Sequence, residues 1–432
     1  MTHPTRTLSA ALALLLAAGP FLRAADLDAE PIRYSTAAPA NAVSHLQGRL
    51  GAGKAALAHD KKHGYLRDLL KALAVPESSQ VLVFSKTSLQ RHRISPVRPR
   101  ALYFNDDVYV GFCQNGDVIE LSAADPGLGT VFYTLDQKKT DNALITRQGE
   151  ACLLCHGSSQ NEGLPGLLVR SVYPDARGLP VLSAGSHRTD HSSPLKERWG
   201  GWYVTGTSGG QTHLGNLTVA ERTRPEEVDN RAGVNVTDLS PFFKTSLYPT
   251  AHSDLVALMV LEHQTGAHNR ITRANLLTRL ALHDEAELNK ALGRQMPGHS
   301  DSTVGRIRSA GEPLVKYLLF CEEAALTEAV LGTSGFAGAF ARRGPFDKKG
   351  RSLRDFDLRR RMFKYPCSYL IYSAAFDGLP TEVRDYVYRR LWEVLSGKDT
   401  GKDFAHLSAA DRQAIREILL ETKPNLPAYW RK

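Results

Sequence analysis

Cysteine is scarce in this chain, with five in 432 residues, and methionine scarcer still, with four including Met1. Cys152 and Cys155 stand three apart. The remaining Cys113, Cys321 and Cys367 allow at most one disulfide and leave at least one thiol over, which excludes a disulfide scaffold. Long apolar runs are missing as well. After the first 25 residues no segment approaches about 18 uninterrupted apolar residues, the length at which a membrane-spanning helix becomes the natural reading. Neither sign of charge dominates. The net charge is +9, falling to +7 if Arg6 and Arg23 leave with an N-terminal leader. So small an excess is no nucleic-acid footprint, and it suits steering towards an acidic protein partner. RHRISPVRPR (91–100) and DLRRRMFK (357–364) gather basic residues, read as solvated loop or helix faces. There is no internal repeat and no low-complexity segment.

What is present begins with a leader. MTHPTRTLSAALALLLAAGPFLRAA has an early arginine, an apolar run from Leu8 to Ala18, a Gly-Pro break and small residues at Ala24 and Ala25. That layout predicts a secretory signal peptide over 1–25 and a periplasmic or otherwise exported protein with no membrane span after its removal. At 42% hydrophobic, the remaining chain is long enough to bury a sizeable core.

Three regions follow. From 26 to 140, helical patterning in SHLQGRLGAGKAALAHD and GYLRDLLKALAV gives way to short β-like runs, QVLVFS, RALYFN, DVYVGF, DVIELS and TVFYTL. Turn residues such as Asn105-Asp106-Asp107 and Asn115-Gly116 separate them, so they read as hairpins of one antiparallel sheet. From 141 to 250 the chain is rich in Gly, Pro, His and aromatics, the composition of long loops around a cofactor. From 251 to 432 it is mainly helical, with apolar residues at three and four spacing in SDLVALMVLEH, ANLLTRLALHDEAELNKAL, PLVKYLLFCEEAALTEAVL, TEVRDYVYRRLWEVLSG and SAADRQAIREILLET. The expected class is α+β.

The middle region contains CLLCH. Cys152 and Cys155 share a helical face and can form thioethers to one porphyrin edge, and His156 is then carried under the ring as a metal ligand. With this chain's own 5 Cys and 15 His, chance supplies the pattern roughly 0.002 times per chain. An exported compartment is where haem is attached to such motifs, so leader and motif agree. Two other matches carry nothing. GRLGAGKA (48–55) has Ala55 where a P-loop needs Ser or Thr and follows no strand, and Ser193 and Lys196 lack the companion motifs of serine acyl transfer.

CLLCH followed by GSSQNEGLPG resembles the c-type cytochromes, in which a Gly and Pro loop offers a carbonyl to the proximal histidine. Here Pro165 is the residue suited to that part. The block RWGGWYVTGT resembles segments of large exported single-haem proteins, a likeness that implies no activity. The resemblance implies one covalent haem c held by Cys152, Cys155 and His156. For the other axial position the methionines are poorly placed, and His213 and His263 are the candidate metal ligands or distal residues. Trp199 is a candidate for packing on the porphyrin, and Arg198, Arg188 and Arg170 for pairing with its propionates. The expected function is electron transfer by an exported monohaem cytochrome. The surplus chain leaves room for oxidoreductase work on a small substrate such as peroxide, and the alternative is a haem-based sensor or binding protein without turnover.

Overall fold

A computed structural model describes residues 27–431, and the expected leader over 1–25 lies outside them. Among the described residues there are nine helices and eleven strands. The fold is α+β, as the composition of the three regions implies.

Seven strands make one antiparallel sheet. β1 (Val81–Val83), β2 (Arg100–Phe104), β3 (Val108–Phe112), β4 (Val118–Asp125) and β5 (Gly129–Asp136) are the runs rich in Val, Tyr and Phe. Two further strands complete it in the order β6-β5-β4-β3-β2-β1-β9. One is β6 (Ile145–Gln148), which follows β5. The other, β9 (Trp202–Tyr203), comes after a small hairpin of β7 (Arg170–Val172) and β8 (Ser186–Arg188). Tyr203 and Trp202 pair with Leu82 and Val83, so the loop-rich region returns to the sheet edge. Glycine makes that return feasible. A Cβ on Gly200 would lie 2.1 Å from the Val172 carbonyl oxygen, and Gly201 has φ +84° beside Ser85.

The helices are α1 (Ala42–Gly51), α2 (Leu66–Ala72), α3 (Glu150–His156), α4 (Leu255–Ala291), α5 (Asp301–Leu318), α6 (Phe336–Ala341), α7 (Ala374–Asp377), α8 (Thr381–Leu395) and α9 (Ala409–Thr422). The two amphipathic runs expected between 253 and 292 are one helix of 37 residues. Its first half is buried on every side, so its polar residues Glu262, His263, Gln264 and His268 lie inside the protein and require partners there.

α5 departs from its sequence pattern. The apolar spacing of 313–331 predicts a helix beginning at Pro313, whereas the helix starts at Asp301, capped by Ser300 accepting from the Thr303 N–H, and ends at Leu318. Phe320 and Glu322 take positive φ and break it. Pro313 is tolerated inside because the carbonyl it cannot serve, that of Ser309, accepts from Arg273 of α4 at 3.1 Å instead. One hydrophobic cluster runs through the described residues from Leu27 to Trp430, with a small second one at Tyr173, Val181, Ala184 and Leu214. Among the described residues no helix is long and apolar enough to cross a membrane.

Candidate functional site

CLLCH forms α3. Gly149 precedes it and Gly157 follows, with the Gly157 N–H closing the last turn onto the Leu153 carbonyl at 2.8 Å. Glu150 in the first turn faces the positive end of the helix dipole. Leu153 is the buried anchor of this short helix, whereas Leu154 is 79% exposed. Cys155 is exposed and Cys152 half-buried, while Cys113, Cys321 and Cys367 are all buried, and none of the five is in a disulfide. The two thiols open to reaction are therefore the two in the motif.

His156 is held by its backbone neighbourhood. Its Nδ1 lies 2.9 Å from the Gly166 carbonyl oxygen. A carbonyl can only accept, so Nδ1 carries the proton and Nε2 keeps its lone pair. Burial is the main cause holding the imidazole below the usual histidine range, with the Arg100 guanidinium adding to it. A neutral ring with Nε2 bare is the form that binds a metal. The carbonyl belongs to Gly166 rather than Pro165 because the Pro165 oxygen is already used. It accepts from the Thr130 N–H at 3.2 Å and so fastens the loop to the start of β5.

The ring rests on the sheet. His156 lies over Phe132 of β5, with centroids 4.7 Å apart. Phe132 pairs with Ser122 and Gln148, while Thr134 pairs with Glu120 and Glu120 with Gly111, so these residues share one sheet face. On that face Arg100 pairs with Glu120, and its guanidinium fills the space a side chain at Gly111 would take. Burial, then the charge of Glu120, push the Cys152 thiol up to about 11. A redox CxxC pair works through a depressed thiol, so this environment argues against thiol–disulfide exchange. A thiol destined for a thioether has no such need.

The chemistry of these residues suits a covalently held haem, with one exposed and one half-buried thiol on a helical turn followed by a histidine in the ligating tautomer. Among the described residues there is no cluster of three or more His, Cys, Asp or Glu side chains that would instead suggest a free metal ion.

The other expected site residues lie elsewhere in the structure. Arg198, 4% exposed, directs its guanidinium inward, to Glu262 at 3.2 Å and to the carbonyls of Ser193 and His191. Trp199 is fully buried and meets His213 edge to face at 5.2 Å. The Nδ1 of His213 accepts from the Gly215 N–H at 3.1 Å, so its proton sits on Nε2 and the neutral ring has no lone pair for iron. His263 is closed at both nitrogens, by His191 at 2.8 Å and Ser368 at 2.8 Å. Neither histidine is presented as an axial ligand, because each already serves the interior of the fold. Arg170 bonds Ser186, whereas Arg188 reaches the Gln160 carbonyl in the loop after α3. Of the three arginines, Arg188 is the one that touches the motif's own loop.

Sequence reading missed the partners that α4 supplies. Asn269 faces the loop after α3 and bonds both the N–H and the carbonyl of Leu167, at 2.8 and 2.7 Å. Nothing in an isolated QTGAHNRIT marks an asparagine that closes a loop about 100 residues earlier. An open polar hollow of about 500 Å³, lined among others by His59, Lys62, His63 and Lys138, includes no residue of α3 or its loop.

No family model, curated protein or solved structure matches this chain.

Proposed function

We propose that this chain is an exported monohaem c-type cytochrome whose elementary act is electron transfer. One observation carries the reading. CLLCH forms a helical turn whose histidine gives its Nδ1 proton to a backbone carbonyl, leaving Nε2 free beside the only two cysteines that are not buried. Cys152 and Cys155 would hold the haem by thioethers and His156 would ligate its iron. When bound, that group supplies a one-electron couple whose potential is set by ligands, hydrogen bonds and burial.

The protein's own share is to fix the imidazole, keep it neutral, and cover one side of the site with the Phe132, Glu120 and Arg100 face of the sheet. The basic excess supports an acidic redox partner, met by electrostatic steering.

A second activity, on peroxide or another small substrate, is favoured by one specific observation. The two histidines best placed by sequence to fill the other axial position are both engaged within the fold. If His156 alone held a bound haem, neither of these histidines being free, the site would be open to small molecules. The test is the optical spectrum of protein exported from a host with haem-attachment machinery, taken ferric, ferrous, and ferrous with carbon monoxide. High-spin ferric bands and ready carbon monoxide binding support the open site. A low-spin spectrum unmoved by carbon monoxide restricts the protein to electron transfer, and absence of any haem spectrum removes the cytochrome reading.

A further inference from the structure

Resting on the haem reading, a second question is what holds the carbonyl that holds His156. Gly166 sits between two residues with fixed roles. Pro165 on one side is tied to Thr130 of β5, and Leu167 on the other is gripped at both its N–H and its carbonyl by Asn269 of α4. The same Asn269 amide reaches Asn161 Oδ1 at 3.3 Å, and Asn161 Nδ2 donates to the His156 carbonyl at 3.0 Å. The Gly166 N–H donates to that same His156 carbonyl at 3.0 Å. Histidine backbone, histidine ring and acceptor carbonyl are thus closed into one hydrogen-bonded ring whose outer member, the part-buried Asn269, lies on the long helix α4. There is no slack at the centre. A Cβ at position 166 would lie 2.5 Å from Asn269 Oδ1 and 3.0 Å from Asn161 Nδ2.

We propose that Asn269 is the positioning residue of the proximal histidine, setting the strength of the His156 Nδ1–H to Gly166 hydrogen bond and through it the reduction potential of the haem. The physical link is ligand basicity. A firm hydrogen bond from Nδ1 makes the imidazole a better donor and favours the ferric state, so a loosened one raises the potential. Asn269 touches neither thiol, so covalent attachment does not depend on it.

The experiment uses the loaded, full-length protein carrying Asn269→Leu, with haem stain after denaturation, a potentiometric titration, and NMR hydrogen exchange of the His156 ring N–H. Covalent haem is expected at the wild-type level. The ferrous to ferric ratio at fixed poise is expected to rise by about tenfold, which is 59 mV for a one-electron couple. The ring proton is expected to exchange faster. Asn275→Leu is the control, since it cuts the same kind of side-chain clamp on the same helix, to the carbonyls of Pro126 and Gly378. It should lower stability and leave the potential alone. If Asn269→Leu does not fold, Asn269→Ala removes the same acceptance and both donations with no added bulk or charge, and it should shift the potential in the same direction.

A stained protein whose potential and ring exchange stay unmoved in the Asn269 variants overturns the positioning role and leaves the cytochrome reading standing. A potential that shifts equally in the Asn275 control overturns it too. A wild-type protein without covalent haem overturns both.

Discussion

His213 makes a quantitative test of how the buried histidines are used. It is 1% exposed, has no charged partner, and burial brings its folded value down to about 4. In the unfolded chain the same group titrates near 6.5. The folded state therefore refuses a proton that the unfolded state accepts, and stability is lost as pH falls from 6.5 towards 4. For one such group the loss between pH 7 and pH 5 is about 2 kcal/mol. His213→Asn keeps an acceptor for the Gly215 N–H and removes the titration. Urea unfolding of wild type and variant at both pH values isolates the effect, because the other buried histidines remain in both proteins. The variant starts lower, having lost packing against Trp199, but its fall between pH 7 and pH 5 should be smaller by about 2 kcal/mol. Equal falls in the two proteins would refute the reasoning. The same variant should leave the haem spectrum unchanged, since the His213 lone pair points at the Gly215 N–H.

Three other outcomes follow from the geometry. Glu262→Ala leaves the Arg198 guanidinium buried without its partner and should cost about 3–5 kcal/mol in denaturant unfolding; a loss below 1 kcal/mol would mean that the pair is not desolvated. Gly166→Ala should cost about 1–3 kcal/mol as overpacking and raise the reduction potential together, and a stability loss with no change in potential would detach the loop from His156. Gly200→Ala drives a Cβ into the Val172 carbonyl and should destabilise more than Gly166→Ala, as measured by the midpoint of thermal unfolding.

The sheet was largely legible because its strands announce themselves by β-branched and aromatic runs between turn residues. β6 and β9 were not, since four residues reading ITRQ and two reading WY carry no periodicity, and their pairing is decided by what lies beside them. The first turns of α8 and α9 could be placed from amphipathic spacing. α5 could not, because Pro313 looks like a start until the arginine that relieves it is seen. The helical turn of CLLCH was legible from five consecutive letters. Its support was not. The acceptor moved from Pro165 to Gly166, and the grip of Asn269 comes from across the fold. The partners of the histidines and of Arg198 were hidden for a related reason. Buried polar residues on α4 and the loops facing it look functional in sequence because the partners that satisfy them are far away in the chain.

The most direct test of the central claim is the intact mass of the denatured protein produced in a host with haem-attachment machinery, measured for the wild type and for Cys152→Ala/Cys155→Ala. One haem retained per wild-type chain under denaturing conditions, and none on the double variant, is the expected result. A bare wild-type chain, or haem that survives loss of both thiols, would contradict it.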